Sequence, residues 1–168
     1  MIFSASIHVQ EKIKTEYEIS ASQPEFGLWH WYVGLQMITN RKRGFVLVNS
    51  LTGYTVCLEN STKPIIRNFS KCFQKALETS LSGKVSKEAL ENYFAKQPPL
   101  TFANPERDDL LEYTYNRAMT IFFMLRQDSW DNVMEAINKS DKNILGSQTS
   151  GSSSPALLMV KRLEKELG

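Results

Sequence analysis

The chain is poor in the residues that carry most recognisable chemistry, with two cysteines and two histidines in 168 residues. Cys57 and Cys72 stand apart in apolar contexts, which excludes a zinc ribbon or a C-x-x-C redox pair and points to two reduced core thiols. His8 and His30 are far apart in sequence, and zinc takes three or four protein ligands, so neither a metal nor a cofactor is expected. Gly-rich phosphate loops, nucleophile elbows and paired-histidine metal motifs are also missing. Charge of one sign is lacking too: 20 Lys+Arg against 18 Asp+Glu leave a net +2, too little to imply a nucleic-acid or membrane partner by itself. No stretch approaches the roughly 18 consecutive apolar residues that a membrane span requires. The start Met1-Ile2-Phe3-Ser4-Ala5-Ser6-Ile7-His8 has neither the basic region nor the long apolar run of a secretory leader. A cytoplasmic protein without membrane contact is the expectation.

What the chain does have is a core: 42% of its residues are hydrophobic, enough for a domain of this size to fold without disulfide or metal. Ile2–Ala5 reads as a short strand, and Ser6 can cap a helix carrying Val9, Ile13 and Tyr17 on one face. A Pro/Gly loop follows at 22–27. From Trp29 to Ile38 the pattern alternates with period two, with Trp29, Trp31, Val33, Leu35 and Met37 opposed to His30, Tyr32, Gly34, Gln36 and Ile38. The apolar run Phe45–Val48 suits burial on both faces, and Tyr54–Leu58 follows a turn at 50–53. Connections this short make an antiparallel meander.

Helices dominate the rest. Asn68 precedes a stripe of Phe69, Phe73, Ala76, Leu77 and Leu81 that Gly83 can end. Ser86 caps the next helix, Pro98-Pro99 stops it, and Leu100–Ala103 reads as a fourth strand beside the first. Asn104-Pro105 is a helix start; the helix runs to about Leu125 with Leu111, Tyr115, Ala118, Phe122 and Leu125 as its apolar stripe, widened by Met119, Ile121 and Phe123. Another helix starts near Asp128 or Ser129 and buries Trp130, Val133, Met134 and Ile137. The expected organisation is a single α+β domain over 1–145, a small antiparallel β-meander packed against several α-helices. A Gly/Ser-rich flexible linker covers 146–154, and a short amphipathic helix covers 155–168.

One region carries a recognisable pattern: Trp31-Tyr32 with Leu35 and Ile38, then Asn40-Arg41-Lys42-Arg43, then Phe45-Val46-Leu47-Val48-Asn49, and Thr52. The Met1-Ile2-Phe3 start, and Phe102 followed by Arg107, accompany it. Over roughly residues 1–126 the chain resembles an uncharacterised bacterial family of small domains of unknown function, with a turn one residue longer than the family pattern. The resemblance implies a compact α+β domain and no established activity.

The sharpest candidate site is the basic turn Arg41-Lys42-Arg43 with Trp31 and Tyr32 nearby. Cationic side chains neutralise phosphates while aromatic faces stack on bases, although a charged hairpin tip also serves to keep a sheet edge from associating. His30 beside Asn49 and Thr52 across the hairpin, with Arg41 or Arg43 in support, would be the catalytic set of a ribonuclease, against which stands a hydrogen-bonded structural histidine. Asn49 and Thr52 are suited to organising the turn itself. Asp108, Asp109 and Glu112 cluster within about one turn, as the dipole at a helix start already favours. The terminal helix presents Leu157, Leu158, Leu163 and Leu167, an edge that has to dock on its own domain, on a second copy as a homodimer, or on another protein. The leading expectation is an intracellular, non-enzymatic interaction module. The alternative is a nucleic-acid-binding protein, extending to a small toxin-like ribonuclease.

Overall fold

The structure, a computed structural model, describes residues 1–21, 27–39, 42–139 and 154–168. Its centre is a six-stranded sheet in the order β2-β6-β1-β3-β4-β5. The strands are β1 (Ile2–Ala5), β2 (Ile19–Ser20), β3 (His30–Thr39), β4 (Lys42–Asn49), β5 (Thr55–Leu58) and β6 (Thr101–Ala103). β3, β4 and β5 form the antiparallel meander that their short connections require, with Val33 opposite Leu47 and Leu47 opposite Val56. The other half is parallel: β1 pairs with β3 and β6, and β2 with β6. The whole is therefore an α+β domain with a mixed sheet, because the segments between the parallel strands are long enough for the crossovers that such pairing needs. β2 has two residues, too few to show a period-two pattern.

One face of the sheet meets α1 (Ile7–Ile13), α2 (Lys63–Arg67), α3 (Phe69–Leu81), α4 (Lys87–Ala95) and α7 (Pro155–Leu167), whose apolar residues join those of the strands in one buried cluster. Phe69 is its hub, edge-on to Phe3, Phe45 and Phe102 with centroids 5.1, 5.2 and 5.2 Å away. Each such pair contributes roughly 0.5–1.5 kcal/mol beyond area burial. Trp31 packs edge-on to Phe73 and donates its indole N–H to the Tyr93 hydroxyl at 3.1 Å. As the sequence implies, the Ser86 hydroxyl caps α4 by accepting from the Ala89 amide. α7 joins the same core through Met159, Leu163 and Leu167, and the Glu164 carboxylate accepts from the Ser86 amide at 2.6 Å. The Gly/Ser segment before it falls at residues 146–153 outside the described part, as does most of the expected loop at 22–27.

The other face is covered by α5 (Asp108–Met124) and α6 (Trp130–Lys139). Two expectations fail here. α5 does not start at Asn104, whose side chain instead accepts from Gln10 Nε2 while its amide donates to Ser20 O. The buried stripe of α5 is Leu110, Tyr113, Thr114, Arg117, Ala118 and Ile121, so Tyr115 and Phe123 are left 57% and 54% exposed. An apolar periodicity could not locate a face that buries a threonine and an arginine.

A cleft beyond the first parallel pair

The positions of the site residues follow from register. β1 stops at Ala5, opposite Val33 of β3, and the Ser6 amide closes the pair on Val33 O at 3.0 Å. From there the chain turns away into α1 and on to β2 at the far edge, whereas β3 continues as far as Thr39. A crevice outside the carboxyl end of a parallel strand, where the chain leaves to one side and its neighbour runs on at the other, is where α/β sheets commonly bind ligands. α5 closes the roof. At Gly34 a Cβ atom would lie 3.3 Å from Thr114 Cγ2, so the absence of a side chain lets the helix approach the strand closely.

The result is a cleft of about 560 Å³ over Gly34, Leu35, Leu111 and Ala118, within the range of roughly 300–1,000 Å³ typical of small-molecule sites. Its polar lining comes from Ser6, His8, Gln36, Arg43, Glu112 and Tyr115. His8 stands 3.9 Å from Glu11 in an exposed pair, and Gln36 Nε2 is 2.6 Å from Met119 Sδ. The side chains of Arg43, Glu112 and Tyr115 make no hydrogen bond or ion pair among the described residues, with each other or with anything else. The Ser6 hydroxyl likewise makes no cap bond to α1.

A second polar group lies deeper on the same face of the sheet. Ser4 Oγ and His30 Nε2 are 2.8 Å apart and buried, with the Tyr32 ring centred 5.1 Å from the imidazole. Burial pushes the His30 pKa down to about 4. Burial, countered by the backbone amide of Arg107, pushes Tyr32 up to about 12. Arg117 donates to the Tyr113 hydroxyl at 2.7 Å and to Ile137 O at 2.9 Å. None of these side chains lines the cleft. Among the described residues no three His, Cys, Asp or Glu stand together as a metal donor set.

The residues singled out in the sequence are thereby dispersed. Arg41 lies outside the described residues. Lys42 and Arg43 are exposed, and Arg43, opposite Met37, reaches the cleft. Trp31 and Tyr32 are fully buried on opposite faces of the sheet, so neither offers a ring for stacking. His30, whose carbonyl accepts from the Ser50 amide, lies at the other end of β3. The seven residues from it to Met37 span roughly 23 Å, so His30 and Arg43 cannot act on one bond. Asn49 is a hub of the turn: it donates to Leu28 O and His30 O and accepts from the Leu51 and Thr52 amides and the Thr52 hydroxyl. Asp109 is bound to Arg107, which holds its carboxyl below the usual range, while Glu112 alone of the acidic trio faces the cleft. In α7, Leu163 and Leu167 are buried, Leu158 is half-buried and Leu157 is 45% exposed. Ser6, Gln36 and Tyr115 escaped sequence reasoning; the one signal was a glycine inside a strand pattern, which marks a close backbone approach.

Fold and cleft define a class, an α+β domain whose mixed sheet is covered by helices on both faces and opens at the end of a parallel pair. Within that class the chain belongs to the family described as Domain of unknown function (DUF6933), which matches residues 2–111. No curated protein and no solved structure matches it. The matched segment contains all six strands and ends one residue before Glu112, so α6, α7 and the far half of the cleft roof lie beyond it.

Proposed function

We propose that the chain is a non-enzymatic binding module and that the cleft between β3 and α5 seats its ligand. The observation that carries this reading is the convergence on one concave surface of three unpartnered groups of different chemistry: a guanidinium, a carboxylate and a phenol. Polar groups that satisfy nothing inside the chain are available to something outside it. A non-catalytic reading is supported by the Ser4–His30 pair, which is buried rather than open to a substrate. Two free cysteines, Cys57 buried and Cys72 half-buried, fit a reducing compartment. A contact of α7 with another protein or a second copy would rely on Leu157, since Leu163 and Leu167 are committed to the core.

The test is thermal melting against a panel of amino acids, sugar phosphates, nucleotides and short charged peptides, for wild type, Arg43→Ala and Tyr115→Ala. At least one class is expected to raise the melting temperature of wild type and to do so less in both variants. Equal shifts in all three proteins, or no shift with any class, would remove the cleft as the ligand seat.

A further inference from the structure

Resting on the cleft being the ligand seat, we infer that its ligand is a nucleoside phosphate, presented free or as one unit of a single strand. Three features of the cleft match three parts of that unit. Tyr115 is 57% exposed on α5 and borders the cleft, so its ring is a platform on which a base stacks without regard to sequence. Glu112 lies three residues earlier on the same helix, within one turn, and its unpaired carboxylate can only accept hydrogen bonds. It therefore suits the edge of a base that bears an exocyclic amino group, as carboxylates do when they read cytosine N4. Arg43 enters from β4 and makes no ion pair among the described residues; a planar guanidinium is the preferred partner of a phosphate.

The pairing of opposite charges argues against an inorganic anion or an apolar ligand, and the exposed ring of Tyr115 favours a ligand that also has a flat face. An inorganic anion would have no use for Glu112 and would be repelled by it, and a purely apolar ligand would engage neither charge. A nucleoside phosphate places its anionic group and its amino edge at opposite ends, separated by the sugar, and its flat ring between them. The cleft thus uses Arg43 as its phosphate contact, with Tyr115 rather than the buried Trp31 or Tyr32 as the aromatic partner.

Fluorescence anisotropy with labelled oligocytidine and oligouridine of eight nucleotides, competed by CMP and UMP, tests this. Wild type is expected to bind at low salt, oligocytidine more tightly than oligouridine because only cytosine offers an amino group to Glu112. Tyr115→Ala should weaken binding about tenfold or more, and Tyr115→Phe should restore it. Glu112→Gln should narrow the cytidine preference, since an amide both donates and accepts. Arg43→Ala should flatten the salt dependence. All three positions are at the cleft surface, and unchanged melting temperatures verify that the variants fold. Competition by CMP at concentrations close to those of the oligonucleotide, counted per unit, identifies a free nucleotide as the source; competition by the strand alone identifies a strand. Either supports the inference. No binding at low salt, or binding indifferent to Tyr115 and Glu112, overturns it. In that event a Tyr115-dependent melting shift with another class of the panel would leave the cleft as a ligand seat, and no shift at all would remove both readings.

Discussion

The two faces of the sheet are built on different principles. The face under α3, α4 and α7 is held by area and shape: Phe3, Trp31, Phe45, Phe69, Phe73 and Phe102 interlock, and the polar atoms among them are few and bonded. The face under α5 and α6 joins a smaller apolar cluster around Val46, Ala118, Ile121, Val133 and Ile137 to buried Ser4, His30, Tyr32, Thr55, Thr114, Arg117 and Asn138, so directed bonds at Thr114, Arg117 and Asn138 and one missing side chain at Gly34 add to its burial. An apolar face tolerates imprecision because burial has no direction. A polar face does not, since each buried group must meet its partner. The chain opens its cleft on the directed face, where helix height above the sheet is set residue by residue.

The comparison is broken most severely by emptying the apolar side. Phe69→Ala removes the ring at the junction of three others, and the expected loss is about 3–5 kcal/mol in urea unfolding. Tryptophan fluorescence, to which Trp31 buried against Phe73 contributes, should report unfolding at lower urea without a second transition. A loss below about 1 kcal/mol would mean that the aromatic cluster is not the main source of stability.

The same contrast explains how much could be read from the sequence. Phe45–Val48 announced a strand buried on both sides, Ser86 announced its helix, and Phe69, Phe73, Leu77 and Leu81 announced theirs, because each signal is local and apolar burial follows a period. The α5 face was misread because Thr114 and Arg117 sit where the pattern calls for apolar residues, and their burial depends on partners such as Leu110 O and Ile137 O. The cleft was half legible. Arg43 stood out by composition, whereas Tyr115 lies 72 positions further on and meets it only through the packing of α5 on β3.

On the polar face, acid is the next probe. His30 titrates near 4 in the folded protein because it is buried, against about 6.5 when unfolded. Between those values the unfolded chain binds the extra proton, so stability falls as the pH drops through 6.5 and levels off below 4. The share due to His30 is about 3 kcal/mol at most. Urea melts of wild type and His30→Gln, which keeps a polar partner for Ser4 but does not titrate, should diverge in their dependence on pH over that window; parallel curves would show that His30 is not held neutral. Asn138 is the smaller lever. It completes the outer edge of β5, accepting from Thr55 N at 2.7 Å and donating to Thr55 O at 2.9 Å, as a neighbouring strand would. Asn138→Leu leaves both groups buried and unbonded, an expected cost of about 2 kcal/mol, with faster hydrogen exchange at the Thr55 amide.

The smallest expected effect is the most specific. Gly34→Ala adds one methyl group that meets Thr114 Cγ2 at 3.3 Å, and Thr114 cannot swing away freely because its hydroxyl donates to Leu110 O at 2.7 Å. α5 must therefore rise by a few tenths of an ångström, at a cost of about 1 kcal/mol, and the cleft roof rises with it. Thr114→Ser removes only the methyl in the way and keeps the hydroxyl bond. The double variant should consequently recover most of the loss, giving a coupling of about 1 kcal/mol between two residues 80 positions apart. Additive losses would show that the helix rests on the sheet elsewhere, and that Gly34 does not set the height of the cleft.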